Sequence, residues 1–409
     1  MMNKTPKGNR PHITFLGKRN VGKSSLINVL INQELSIVSD VPGTTTDPVE
    51  KATELNPFGP VVFVDTAGYD DIGLLGEKRV KKTMTALTES DLAIIVITEE
   101  LTNDDKKIID LVISKNIGYL LVINKSDIMD EETIKKVQNN IRQSYNVAVL
   151  LCSTINHNNI EELKESIITI LRSNPSELPI ISDLLKPMDT VVLVIPIDKE
   201  APKGRLILPQ VQTIRECLDA DVSCIVVKER ELHYTLNHIL KTKPKIVITD
   251  SQAFLKVNAD VADDVLMTSF SILYARQKGD LITYTKGISA IKKLKNNDSI
   301  LIAELCSHRP ISEDIGRVKI PRWLEQYSGL SLNFDVFSGK EIPEDLTKYK
   351  LIIQCGGCMA NRSLIISRIN KAIDQNVPIT NYGLIIAYLH GIIERALTPF
   401  PEALEYLKS

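Results

Sequence analysis

The 409-residue sequence lacks any long apolar run, any excess of one charge and any dense set of cysteines. No stretch reaches the roughly 18 apolar residues that a spanning helix needs. The opening MMNKTPKGNRPHITFLG also has no apolar core of the kind a signal peptide carries. The expectation is a cytoplasmic protein with no membrane partner. With 49 basic against 51 acidic residues the net charge is −2, and no basic tail or stripe advertises nucleic acid. Six cysteines in a chain this long make no disulfide scaffold. Three of them, Cys306, Cys355 and Cys358, lie toward the C-terminus, and that clustering suits a reducing compartment.

What is present is an ordinary globular composition, 43% hydrophobic and 24% charged, in a chain too long for one core. Apolar runs alternate with helical patterns throughout, which predicts an α/β fold in several domains. The clearest element is at the front. The strand-like His12–Leu16 runs into Gly17-Lys-Arg-Asn20-Val-Gly22-Lys23-Ser24, followed by the helical SSLINVLI. This is a Walker A loop in its required strand, loop and helix setting. Its amides and the helix N-terminus would cradle phosphates, with Gly17, Asn20, Gly22 and Ser25 on the nucleotide. Lys23 would reach the β/γ oxygens and Ser24 would ligate Mg2+.

Further elements follow in a fixed order. Pro42–Asp47, with Thr45, lies in the position of a first switch and its second magnesium ligand. Val61–Asp65 is a strand that ends in the magnesium-side aspartate of Asp65-Thr-Ala-Gly68. Lys23, Thr45, Asp65 and Gly68 are the catalytic set. Leu120–Ile123 ends in Asn124-Lys125-Ser-Asp127, and Val149–Cys152 leads into Ser153 and Thr154. The Asp127 carboxylate suits the N1 and exocyclic amine donors of guanine and would repel adenine's N1 acceptor, so the nucleotide is GTP. Taken singly, each motif could be turn or capping residues; in this order and spacing they are not.

Residues 10 to 172 resemble the translation-factor-related GTPases, in the branch that holds Era and TrmE. Two details are similar to the potassium-activated members of that branch. Asn20 stands at the P-loop position implied to bind K+, and Tyr69 stands where Ras-like enzymes carry a water-positioning glutamine. An asparagine there is also an ordinary turn residue.

Behind a linker-like Ser173–Pro179 the pattern restarts. Strands are expected at Thr190–Ile195, Val222–Val227 and Lys245–Thr249, with helices near Gln210–Leu218 and Leu232–Leu240. Cys217 and Cys224 read as core residues, and His233 and His238 as surface or packing residues. Beyond residue 263, helices are expected at 265–277, 287–294, 317–327, 362–374 and 384–397. Strands are expected at 299–305, 332–337 and 350–353, and His390 reads as packing. Two of these strands end in Cys306-Ser-His308 and in Gln354-Cys355-Gly-Gly-Cys358. Ligands of open α/β sheets gather outside strand carboxyl ends, so both thiol elements would meet at one crevice. A helix starting near Asn361 would favour the Cys358 thiolate. Buried core cysteines are the plainer reading of a lone CxxC, and two separate cysteine elements at strand ends argue against it.

A GTPase of this branch followed by Cys306-x-His308 and a CxxC resembles the maturation GTPases of iron-iron hydrogenases, along the whole chain. The resemblance implies a P-loop GTPase domain at 8–172, a dimerisation domain at 183–262 and an iron-sulfur cluster-binding domain at 263–409. It implies a 4Fe-4S cluster held by Cys306, Cys355 and Cys358 with one iron position open. It further implies a scaffold and carrier for a transient two-iron precursor, with apo iron-iron hydrogenase and the radical-SAM maturation enzymes of the pathway as partners. The family often carries histidine directly before the CxxC; here Gln354 stands there. His308 and Gln354 are thus candidates for a fourth ligand or a supporting contact, with Glu313 or Asp314 as carboxylates able to cap the iron. The competing expectations are an RNA- or ribosome-associated GTPase with a structural Cys3His zinc site at Cys306, His308, Cys355 and Cys358, and a GTPase without metal.

Overall fold

Strand runs that are buried at every position, rather than at alternate ones, belong to sheets covered on both faces, and the first sheet is built on two of them. β1 (His12–Leu16) and β4 (Leu92–Ile97) are buried along their whole length. They lie side by side in a six-stranded sheet of order β2-β3-β1-β4-β5-β6, completed by β2 (Val49–Leu55), β3 (Gly59–Asp65), β5 (Gly118–Ile123) and β6 (Val149–Leu151). Only β2 runs antiparallel. Alternate residues of β4 feed different cores. Leu92, Ile94 and Val96 pack with Leu26 and Leu30 of α1 (Lys23–Asn32) and Leu163 and Ile167 of a later helix, Ile160–Ser173. Ala93, Ile95 and Ile97 pack with Ile109 and Val112 of α2 (Asn103–Ser114) and Ile141 of α3 (Glu131–Tyr145). Each such fully buried aliphatic side chain contributes about 1.5–3 kcal/mol.

The computed structural model describes residues 7–32, 48–69, 82–145, 147–173, 178–196, 206–305 and 314–408. Thr45 and its switch segment, Cys306, His308 and Glu313 lie outside the described residues, as does most of the linker. The chain divides into two compact units, 1–176 and 177–409. No helix among the described residues is long and apolar enough to cross a membrane.

The second unit holds two four-stranded parallel sheets. One has the order β10-β9-β7-β8, from β7 (Thr190–Val194), β8 (Ser223–Val227), β9 (Ile246–Thr249) and β10 (Leu266–Ser269). The other has the order β12-β11-β13-β14, from β11 (Ser299–Glu304), β12 (Asn333–Ser338), β13 (Tyr349–Gln354) and β14 (Ile379–Asn381). A single continuous hydrophobic core serves both.

Three sequence expectations are corrected here. Residues 265–277 do not form one helix: Leu266–Ser269 pair in parallel with Ile246–Thr249, and the helix begins only at Phe270, with Ser269 as its N-cap. A short apolar run carries no periodicity that separates strand from helix. The middle sheet therefore takes a strand from beyond residue 262. The helix expected at 287–294 starts earlier, at Leu281, because Asp280 accepts from the Ile282 and Thr283 amides and caps it there. Residues 384–397 form two helices, Tyr382–Leu389 and Ile393–Leu397, with the left-handed Gly391 between them. The helix at Arg362–Asp374 stands as expected. Cys217 is buried, Cys224 half-buried, and His390 stacks edge-on against Trp323 with ring centroids 5.0 Å apart.

Candidate functional site

In the first unit β1 is the switch point of the sheet: β3 lies on one side and β4 on the other, so a crevice opens at the carboxyl end of β1. The loop of residues 17–22 fills that end and α1 starts at Lys23. Lys23 is almost fully buried and donates from Nζ to the carbonyls of Gly17 (2.9 Å) and Lys18 (2.7 Å). Its ammonium thus sits at the mouth of the loop. Ser24 Oγ donates to Asp65 Oδ2 at 2.5 Å, which brings together two hard oxygens of the kind Mg2+ takes, from the P-loop and from the strand end at Asp65-Thr-Ala-Gly68.

The guanine side is equally ordered. Asn124 is fully buried at the end of β5 and donates from Nδ2 to the Val21 carbonyl at 2.8 Å, tying the base loop to the phosphate loop. Gly22, at φ 95°, lies so close that a Cβ there would collide with that amide. Asn124 Oδ1 is buried with no partner among the described residues, an acceptor waiting for a polar group. Lys125 follows at φ 61°. Asp127 Oδ1 accepts from Ser153 Oγ at 2.6 Å, and Ser153 Oγ in turn accepts from the Ile155 and Asn156 amides. Ser153, beside Thr154, is therefore what orients the Asp127 carboxylate, the group expected to read the base. Behind it, burial pushes the Cys152 thiol up to about 12, Glu162 adding to the rise.

Tyr69, which stands where Ras-like enzymes carry the glutamine, is tied to the start of α2. Its hydroxyl donates to Asp105, the residue that also closes the capping box of α2 with Thr102. Asn20 is exposed at φ 59°, a left-handed turn that favours asparagine by itself.

In the second unit β11 is again a switch point, with β12 on one side and β13 on the other. Cys355 follows β13 directly and its amide extends the ladder to the Ala303 carbonyl at 2.9 Å. Its Sγ accepts from the Leu305 amide at 3.2 Å. Burial pushes this thiol up, and the Gly357 and Leu305 amides pull it back. Gly357, at φ 60°, turns the chain, and a Cβ there would lie 2.6 Å from Ile365 Cδ1 and 2.9 Å from Leu305 Cδ1. The turn brings Cys358 up to the helix Arg362–Asp374, whose N-cap is Asn361. Among the described residues no three His, Cys, Asp or Glu side chains converge as a metal site; the third thiol of the expected set, Cys306, is outside them.

A sulfur-ligated iron cluster fits what is there. Two thiols lie at a switch-point crevice, backbone N–H groups point at Sγ, and a helix N-terminus follows, all of which favour thiolate ligands and an anionic core. Gln354 ends β13 and is almost fully buried. Strand alternation turns it to the face opposite Cys355, where Nε2 donates to Tyr284 Oη at 2.9 Å. Asp314 caps the turn Ile315–Lys319 by accepting from the Arg317 amide at 2.8 Å.

Several supporting residues were not singled out from sequence. Lys278 is fully buried and donates from Nζ to the carbonyls of Cys358 (3.2 Å) and Ala360 (2.8 Å), pinning the cysteine loop. Arg362 donates to the Gln277 and Gly279 carbonyls, both at 2.8 Å. A basic residue in the first turn of a helix opposes the dipole, and that misfit was the one readable signal that Arg362 serves another element. Glu304, at the end of β11, is nearly fully buried and paired with Arg317 at 2.7 Å.

Comparison with known proteins assigns each unit. Residues 12–125 match the 50S ribosome-binding GTPase family. Over 176 residues the chain is 36% identical to a GTPase Der of Wolinella succinogenes, covering 41% of this chain and 37% of that protein. Over 150 residues it is 41% identical to a tRNA modification GTPase MnmE of Prochlorococcus marinus, covering 35% of this chain and 31% of that protein. The chain thus spans about a third of the length of these curated relatives. Among solved structures, an Aquifex aeolicus Era bound to GDP and aluminium fluoride aligns with a TM-score of 0.35 and 22% identity, over 53% of this chain and 92% of that one. The second unit matches two domains of one family: the hydrogen maturase F dimerization domain at residues 180–279 and its tetramerization domain at residues 282–399. Together these cover more than half of the chain and leave a GTPase domain of the TrmE and Era type in front, so the chain belongs to the hydrogen maturase F family.

Proposed function

We propose that this protein is a GTP-hydrolysing scaffold that binds a 4Fe-4S cluster through Cys306, Cys355 and Cys358 and assembles or delivers the two-iron precursor to apo iron-iron hydrogenase. The observation that carries the reading is the paired thiol element at the switch point of β11 and β13, with the Leu305 amide donating to Cys355 Sγ. A 4Fe-4S cluster with three cysteine ligands supplies an iron site at which another ligand exchanges. The chain's part is to hold that site. Lys278 and Arg362 fix the cysteine loop against the end of the preceding helix, and the amides of Leu305 and Gly357 stabilise thiolate at Cys355. The hydrogenase, and the radical-SAM enzymes that would supply the precursor, are partners in this reading. Metal analysis of anaerobically purified protein tests it: a brown sample rich in iron is expected, and a colourless sample holding zinc would replace the reading with a structural zinc site.

In the nucleotide domain Lys23, Ser24 and Asp65 would position the phosphates and Mg2+, and Tyr69, at the position of the missing glutamine, is bonded to Asp105. A monovalent cation at Asn20 would then supply transition-state charge. GTP hydrolysis is expected to be slow and faster in potassium than in sodium. Equal rates in the two salts would remove the cation.

Self-association follows from the matched domains, and the edge strand β8 is the surface we assign to a homodimer. Among the described residues it pairs only with β7, and Val226 is 46% exposed on it, a parallel-sheet edge of the kind that a second copy completes. Val226→Arg should halve the mass seen by light scattering. An unchanged mass would place the interface elsewhere.

A further inference from the structure

At the cysteine crevice the three strand ends place one side chain each on the same face. Ala303 pairs with Gln354, and Gln354 with Asn381. The next positions along these ladders are Glu304, Cys355 and Tyr382, a row across β11, β13 and the end of β14. Asn381 fixes the last of them by capping the helix that Tyr382 begins, its side chain accepting from the Leu384 amide at 2.9 Å.

The Tyr382 hydroxyl is buried and has no hydrogen-bond partner among the described residues. A buried hydroxyl left unpaired costs about 1–3 kcal/mol, so it calls for an acceptor. Among the described residues the carboxylates whose charge reaches it are engaged elsewhere: Glu304 accepts from Arg317 and from Ser338 Oγ, both at 2.7 Å, and Asp314 accepts from the Arg317 amide. Burial and then the charges at Cys355, Glu304 and Asp314 push the phenol upward, so it stays neutral and keeps its proton to donate. Room for the hydroxyl is made by Gly316, where a Cβ would run into it. The remaining neighbour in the row is the cysteine sulfur and whatever is bound there.

We propose that the Tyr382 hydroxyl donates a hydrogen bond to sulfur of the cluster held at Cys355 and Cys358, and is a positioning residue that raises the cluster's reduction potential and slows its loss. The inference rests on the cluster-binding reading above. A donor at sulfur favours the more negative, reduced form, which is why the potential rises with it.

The test uses the full chain, reconstituted anaerobically with ferrous iron and sulfide, in an EPR-monitored redox titration and a timed release of iron to a chelator. Tyr382→Phe should titrate at a more negative potential and release iron about fivefold faster, the factor of one ordinary hydrogen bond. Gly316→Ala, which pushes the hydroxyl aside without removing it, should move both readouts the same way. Tyr388→Phe, on the same helix but stacked against Tyr327 at 5.3 Å, should move neither. Wild-type potential and release in Tyr382→Phe, or an equal shift in Tyr388→Phe, would overturn the proposal while leaving the cluster reading intact. Wild-type protein that takes up no iron would overturn both.

Discussion

Replacing Lys23 with alanine is expected to reduce GTP turnover by about 10²–10³-fold, the loss that follows removal of one preorganised donor from a transition-state site. Nucleotide binding should weaken with it, because the same ammonium faces the phosphates in ground and transition states. The fold should survive. In the protein itself Lys23 Nζ donates to the Gly17 and Lys18 carbonyls, each bond worth about 1 kcal/mol, and the strand-helix unit around it is anchored by Phe15, Leu26 and Leu30 in the core. Steady-state hydrolysis and binding of a fluorescent guanine nucleotide, read beside a thermal melt, separate the two effects. Turnover within a few-fold of wild type would mean that the loop of residues 17–22 is not the phosphate site.

The second large effect is expected at the thiols. Cys355→Ala and Cys358→Ala should each lower the iron content of anaerobically purified protein by more than about tenfold, since even a ligand's supporting partner is worth that much. GTP hydrolysis should be retained, because the nucleotide residues and the thiols belong to different compact units with separate cores. Cys306→Ala should behave as the other two. Cys217→Ala supplies the control: its thiol is also buried, but on the helix Leu208–Asp219, against Cys224 of the middle sheet, so it carries the packing cost of losing a sulfur, about 1 kcal/mol, without touching the crevice. An equal loss of iron in Cys217→Ala would show that iron reports general stability rather than ligation.

Much of this was readable from residues, for a physical reason that differs between the units. The GTPase motifs are local: each is a strand end followed by the loop that does the chemistry, so Lys23, Asp65, Asn124 and Asp127 are named by their own neighbours in sequence. β4 is apolar at every position and bounded by polar residues, which sets it apart. The thiols Cys355 and Cys358 were legible in the same way. What was not legible depends on contacts between distant segments. Lys278 lies 80 residues from Cys358, whose carbonyl it holds, and Tyr284 lies 70 from Gln354; nothing near either residue hints at the pairing. β10 was missed because four residues, Leu-Met-Thr-Ser, run straight into a helix and carry no period of their own. The role of Gln354 turned on side-chain alternation at a strand whose last residue sequence alone did not define.

The central claim is that the C-terminal thiols make this GTPase a carrier for hydrogenase maturation, and activation of apo iron-iron hydrogenase in vitro tests it most directly. Wild-type protein, purified anaerobically after coexpression with the radical-SAM enzymes, should restore hydrogen evolution when mixed with the apoenzyme. Cys355→Ala protein prepared in the same way should restore none while still hydrolysing GTP. Equal activation by the wild-type and Cys355→Ala proteins would contradict the account, whatever the colour of the samples.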